Sequence, residues 1–180
     1  MINLEKSALA YLLQDQLPTH PTLGQVAKAL GRIVLVKNFS TTAFRLSQIL
    51  GSRMPWAGYA VKQVNHVITG ADLAWQATVG RGLVLHHPTG VVWGPGVTLG
   101  EQVTVQQGVT IGGRGGTGVD GSPKIESGAE IGAGARVIGP VTVGRSARVG
   151  ANAVVLADVP AGAAAVGIPA RVIERSSKSR

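Results

Sequence analysis

Aliphatic residues recur at every sixth position over much of the chain. Leu73, Val79, Leu85, Val91, Val97, Val103 and Val109 form one unbroken series, and Ile125, Ile131, Val137, Val143, Val149 and Val155 form a second. Every hit is Leu, Val or Ile, where an apolar content of 44% would scatter polar residues through both series. A period of six is neither the 3.6 of an amphipathic helix nor the two of a half-buried strand. It predicts short parallel strands wound into a solenoid, a parallel β-helix. Each strand sends one large aliphatic inward before the chain turns a corner, and three strands complete a coil of about 18 residues. Coils then stack ~4.8 Å apart. Compact residues four positions after the aliphatic (Ala129, Ala135, Ala147, Ala153, Thr89) suit the corners, and Gly80, Gly132, Gly144 and Gly150 directly follow it.

Ahead of the repeat the pattern is helical. Leu4, Ala8, Leu9, Leu12, Leu13 and Leu17 share a face over residues 4–17. Thr22-Leu23-Gly24-Gln25 reads as a capping box opening a helix with Val26, Leu30 and Val34. A third helix is expected from Ser40–Thr42 with Phe44, Leu46, Ile49 and Leu50. A fourth is expected from Pro55, presenting Trp56, Ala60, Val64 and Val67. The chain divides into a helical region, 1–68, a β-helix, 69–173, and a basic tail, 174–180.

Two places depart from the repeat. From Val109 to Ile125 is sixteen residues where six would continue the coil, so about ten are extruded as a glycine-rich loop, 112–123. No Gly-Lys-Ser/Thr follows it, which excludes a phosphate-binding P-loop. At Val166-Gly167-Ile168-Pro169-Ala170-Arg171 the period stops, and a strand folding back along the coils is expected.

Composition narrows the chemistry. With 26 Gly and only 3 Trp, 2 Tyr and 2 Phe, the core is built from small aliphatics. The absence of Cys removes disulfides, thiolate metal sites and a cysteine nucleophile. No stretch is apolar enough for a membrane span, so a cytoplasmic protein is expected. The net charge of +8 is spread along the chain apart from Arg171, Arg175, Lys178 and Arg180, which argues against nucleic acid and suits a substrate carrying several phosphates.

Only four histidines occur, and His86-His87 falls inside a coil, whereas His20 and His66 lie in a loop and on a helix. Acyl transfer from a thioester to an alcohol needs a base for the hydroxyl proton, a role imidazole fills near neutral pH. It also needs a carboxylate to orient that base. Asp72 precedes His87 by fifteen residues, close to one coil, which places it within plausible reach. A purely structural Asp72 at the first coil fits the same spacing.

The segments Asp72-Leu73, Gly80-Arg81-Gly82, His87-Pro88-Thr89-Gly90, Gly108 to Gly113, Gly132 to Ala135 and Val166 to Arg171 together resemble serine O-acetyltransferase. The likeness covers roughly residues 70–173. It implies a left-handed parallel β-helix, acetyl-CoA as acyl donor, no metal, and a homotrimer binding CoA between subunits. His87 would be the general base and Asp72 its support. Gly113, Arg114, Ala133, Ala151 and Arg171 would bind the cofactor, and His86 and Ser122 would face the acceptor.

The departures concern the acceptor. Serine enzymes of this kind carry Asp before the catalytic His and an Arg-His pair in the loop, where this chain has His86, Gly121 and Ser122. The short helical region and Leu85-His86-His87 look more like acetyltransferases acting on sugars, of the colanic-acid type. The expectation is therefore acetyl transfer to a hydroxyl of a small molecule or sugar. A true serine O-acetyltransferase of cysteine biosynthesis and a non-catalytic β-helix scaffold are the alternatives. A three-His zinc hydrase is disfavoured by the scarcity of histidines in the coils.

Overall fold

The computed structural model describes residues 8–32, 36–115 and 121–173. Leu4, Val34, the loop tip 116–120 and the basic tail 174–180 lie outside the described residues. Among the described residues, four helices precede the strands. α1 (Ala8–Leu13) ends earlier than the 4–17 pattern, because Gln14–Gln16 turn and send Asp15 inward to Arg45. α2 (Leu23–Arg32) opens on the expected capping box. Thr22 N–H donates to Gln25 Oε1 at 2.8 Å, and Gln25 N–H to Thr22 Oγ1 at 3.4 Å.

α3 (Val36–Gly51) starts ahead of the expected Ser40–Thr42 boundary; Ser40 and Thr41 are buried within it rather than capping it. α4 (Pro55–Thr69) has Pro in its first turn, and Gly70 at φ 74° closes it by donating its N–H to His66 O. The two helices cross at backbone contact, since a Cβ on Gly58 would lie 2.5 Å from Gly51 Cα. α4 buries its small and polar side through Ala57, Gly58, Asn65 and Thr69. Its apolar stripe faces outward instead, with Trp56 73% and Val67 83% exposed.

The rest of the described chain is a parallel β-helix. One sheet stacks β1 (Asp72–Leu73), β4 (Val92–Trp93), β7 (Thr110–Gly112), β10 (Arg136–Ile138) and β13 (Val154–Val155). A second stacks β2 (Thr78–Val79), β5 (Thr98–Leu99), β8 (Lys124–Ile125) and β11 (Thr142–Val143). The third carries β3 (Val84–His86), β6 (Thr104–Gln106), β9 (Glu130–Ile131), β12 (Arg148–Val149), β14 (Ala164–Val166) and β15 (Arg171–Ile173). β15 runs antiparallel to β14, the expected fold-back, and all the other pairings are parallel.

The register corrects one part of the repeat. Leu73 pairs with Trp93 and Trp93 with Ile111, so the strand interior runs 73, 79, 85, then 93, 99, 105, 111. Val91, Val97, Val103 and Val109 occupy a second inward column, two residues earlier, shared with Ala71, Ala77, Ala129, Ala135, Ala147 and Ala153. The period survives in sequence because both columns are buried and aliphatic there. Thr89, grouped with those alanines by spacing, is exposed.

The slip comes from the first coil. Asp72 pairs twenty residues on, with Val92, whereas Val92 pairs eighteen on, with Thr110. Two extra residues therefore lie between Leu85 and Trp93. By the same register the extrusion from Ile111 to Ile125 is eight residues, not ten, and its first position, Gly112, belongs to β7.

Glycines after the inward aliphatic are needed where coils meet at a corner. A Cβ on Gly132 would lie 2.7 Å from Ala151 N, and one on Gly144 2.5 Å from Ala161 N. The open edge of the first coil is covered by α3. Phe44 packs edge-on against Trp93, with ring centroids 5.3 Å apart. Arg45 fills all five of its N–H donors, on both Asp15 oxygens, Gln48 Oε1, Val79 O and Gly80 O. Asp15 Oδ1 also accepts from Leu83 N–H, and Gln48 Nε2 donates to Ala77 O. An unpaired strand edge is thereby satisfied by side chains.

Candidate active site

The inserted residues of the first coil carry His87. Corners elsewhere repeat a left-handed residue in fixed columns: Gly70, Gly90, Gly108, Gly134 and Asn152 in one, and Gly82, Gln102, Gly128, Ser146 and Gly162 in another. Among the described non-glycine residues of positive φ, His87 at 56° is the one outside both columns. Left-handed backbone costs a non-glycine residue free energy, and such outliers gather at functional sites.

His86 is the last residue of β3, and His87 lies beyond the strand. Both side chains are exposed.

The turn bearing His87 lies over the start of the coil. Gly90 N–H donates to Gly70 O at 2.9 Å, and Asp72 follows two residues later. The Asp72 carboxylate is held by Lys62 of α4 through Oδ1. Among the described residues no hydrogen bond joins it to His87. Lys62 had no place in the sequence reading, since its pairing depends on how α4 is laid against β1.

The extruded loop closes at its neck, where a Cβ on Gly113 would sit 3.4 Å from Gly121 O and 3.9 Å from Ser122 Oγ. Arg114 folds back from this neck over Gly139 and donates to Leu156 O at 3.4 Å.

Ala133 and Ala151 stand at successive levels of one corner, each just after a glycine of the third sheet. Gly132 and Gly150 line a groove of about 230 Å³ with Gln106, Glu130, Arg148 and Val166. The coil ladder uses the amides of Gly132 and Gly150, on Val149 O and Ala165 O. It leaves those of Ala133 and Ala151. Arg171 opens β15 and is exposed. Among the described residues no three His, Asp or Glu side chains converge to hold a metal.

Comparison with known proteins decides the family. The family model described as bacterial transferase hexapeptide (six repeats) matches residues 122–157. Soybean serine acetyltransferase complexed with serine superposes with a TM-score of 0.77 at 34% identity, covering 94% of this chain and 69% of that one. The chain belongs to the serine acetyltransferase-like hexapeptide-repeat acyltransferases. A serine acetyltransferase from Brucella abortus in complex with coenzyme A gives a TM-score of 0.78 at 30% identity, over 97% of this chain and 69% of that one. The serine acetyltransferase of Escherichia coli strain K12 is 42% identical over 109 residues, 61% of this chain. The chain spans 40% of that relative's length.

Proposed function

We propose that this protein moves an acetyl group from acetyl-CoA to a small-molecule hydroxyl, and that L-serine is the acceptor. The observation that carries the first part is His87, in a left-handed conformation on an inserted turn, set over the coil start that holds Asp72. The second part is supported by the relatives, which are named serine acetyltransferases.

The acceptor hydroxyl lies between His87 and the thioester carbonyl. His87 takes its proton as the oxygen attacks, and backbone N–H groups stabilise the oxyanion. The tetrahedral species collapses, the C–S bond breaks, and the thiolate recovers the proton from His87. Asp72, one oxygen held by Lys62, supports the imidazole with the other. No covalent enzyme intermediate is required.

The donor lies along the third sheet, over Gly132 and Gly150, with its amides against Ala133 and Ala151. Gly113 leaves room at the loop neck, and Arg114 and Arg171 offer charge to the phosphates. His86 and Ser122 border the acceptor. Association in threes belongs to the same proposal, and the exposed stripe of Trp56, Tyr59, Val64 and Val67 is apolar surface that subunit contact would cover.

A second reading, a sugar hydroxyl as acceptor, is favoured by neutral Ser122 and by His86 where serine enzymes carry charged partners. Thiol release from acetyl-CoA across L-serine, L-homoserine and sugars separates the two. The highest kcat/KM with L-serine is expected. A higher value with a sugar would replace the acceptor, and no acceptor-dependent release would overturn the transfer itself.

A further inference from the structure

Some of the corner amides left over by the coil ladder are capped by a neighbouring side chain. Glu101 N–H donates to Ser127 Oγ at 3.1 Å, and Arg145 N–H to Glu126 Oε2 at 3.0 Å. In the groove of the third sheet the two levels differ. Ala133 N–H donates to Gln106 Oε1 at 3.0 Å, while Ala151 N–H has no partner among the described residues.

Gln106 reaches Ala133 from one coil away. It pairs in register with His86 on one side, and Gly132 lies at the matching position of the next strand. Down that column the outward positions read His86, Gln106, Gly132, Gly150 and Val166. Gln106 is thus the long polar side chain between the histidine turn and a floor of two glycines. It is exposed and lines the groove. A bond so placed is made at solvent, where water can replace either partner, so it is readily exchanged.

We propose that Gln106 is a displaceable plug that sets affinity for the acyl donor by competing for the Ala133 N–H. This rests on the donor groove proposed above. A pantetheine arm laid along the column offers amide carbonyls to successive corner amides, one coil apart. The Ala151 amide is open to it, whereas the Ala133 amide must first be released by Gln106. The side chain therefore acts against binding of the arm and has no part in the proton transfer at His87. That separates it from a simple structural cap like Glu126, whose loss would cost stability and change no ligand affinity.

The test is calorimetric binding of CoA, pantetheine and adenosine 3′,5′-bisphosphate to the full-length protein and its Gln106→Ala and Gln106→Glu variants. Melting temperatures are measured alongside. Gln106→Ala should tighten CoA and pantetheine by about two- to tenfold, the range of one net hydrogen bond. Affinity for the bisphosphate, which lacks the arm, should not change. Gln106→Glu keeps and strengthens the acceptor on Ala133, so it should weaken pantetheine.

Unchanged or weaker CoA and pantetheine binding in Gln106→Ala, with CoA still bound by the parent protein, would overturn the plug and leave the groove standing. Equal tightening of the bisphosphate would also overturn it. Failure of all three proteins to bind CoA would remove the donor groove and the plug together.

Discussion

Lys62 on α4 holds Oδ1 of Asp72, the first residue of β1, in an ion pair across the junction of the two regions. The helical region thereby fixes the carboxylate that stands below the His87 turn. Lys62 is mostly covered and Asp72 partly exposed, so the pair is worth about 0.2–1 kcal/mol. If that pairing serves to aim Asp72, Lys62→Met lowers kcat by no more than about fivefold. Asp72→Asn lowers it by about 10²-fold or more. The two changes act through one group, so adding Lys62→Met to Asp72→Asn should cost nothing further. Steady-state kinetics on the double-mutant cycle reads this out, and additive losses would place Lys62 on a separate path.

Arg45 is the corresponding structural node. Its guanidinium is fully buried and every donor is used, two of them on first-coil carbonyls that have no strand beyond them. Arg45→Met strands a buried Asp15 and both carbonyls, and should cost about 3–5 kcal/mol in denaturant unfolding. Arg45→Met with Asp15→Leu removes the stranded charge and should recover part of that loss. A single variant with near-parental stability would show that the edge finds other partners.

The corner glycines make a controlled pair. A Cβ on Gly144 meets backbone at 2.5 Å, while one on Gly94 meets nothing within 4 Å. Gly144→Ala should destabilise by about 1–3 kcal/mol through forced coil separation. Gly94→Ala should lie within about 0.5 kcal/mol of the parent. Thermal unfolding of the two variants side by side checks the register directly.

The six-residue period was legible because it follows from one side chain per strand entering a narrow core, a local and repetitive constraint. The helix punctuation at Thr22–Gln25 and Pro55 was legible for the same reason, since caps are local chemistry. The column slip between Leu85 and Trp93 was not. Two inserted residues move the pattern onto the other inward column, and Val91 to Val109 are as aliphatic as the true strand centres. The extrusion was overcounted by that same two.

Of the candidate site, His87 stood out as a polar interruption of the repeat. Its left-handed backbone and its exclusion from the corner columns needed the fold. Lys62–Asp72, Arg45–Asp15 and Gln106–Ala133 join residues 10, 30 and 27 apart across elements whose mutual placement no local pattern encodes.

The central claim is that His87 takes the acceptor proton. The most direct measurement is thiol release from acetyl-CoA with saturating L-serine by the parent protein and His87→Ala, with circular dichroism and melting temperature recorded on both. The account predicts a fall in kcat of about 10²–10⁴-fold with the β-helix intact. Turnover within a few-fold of the parent by a folded His87→Ala would contradict it.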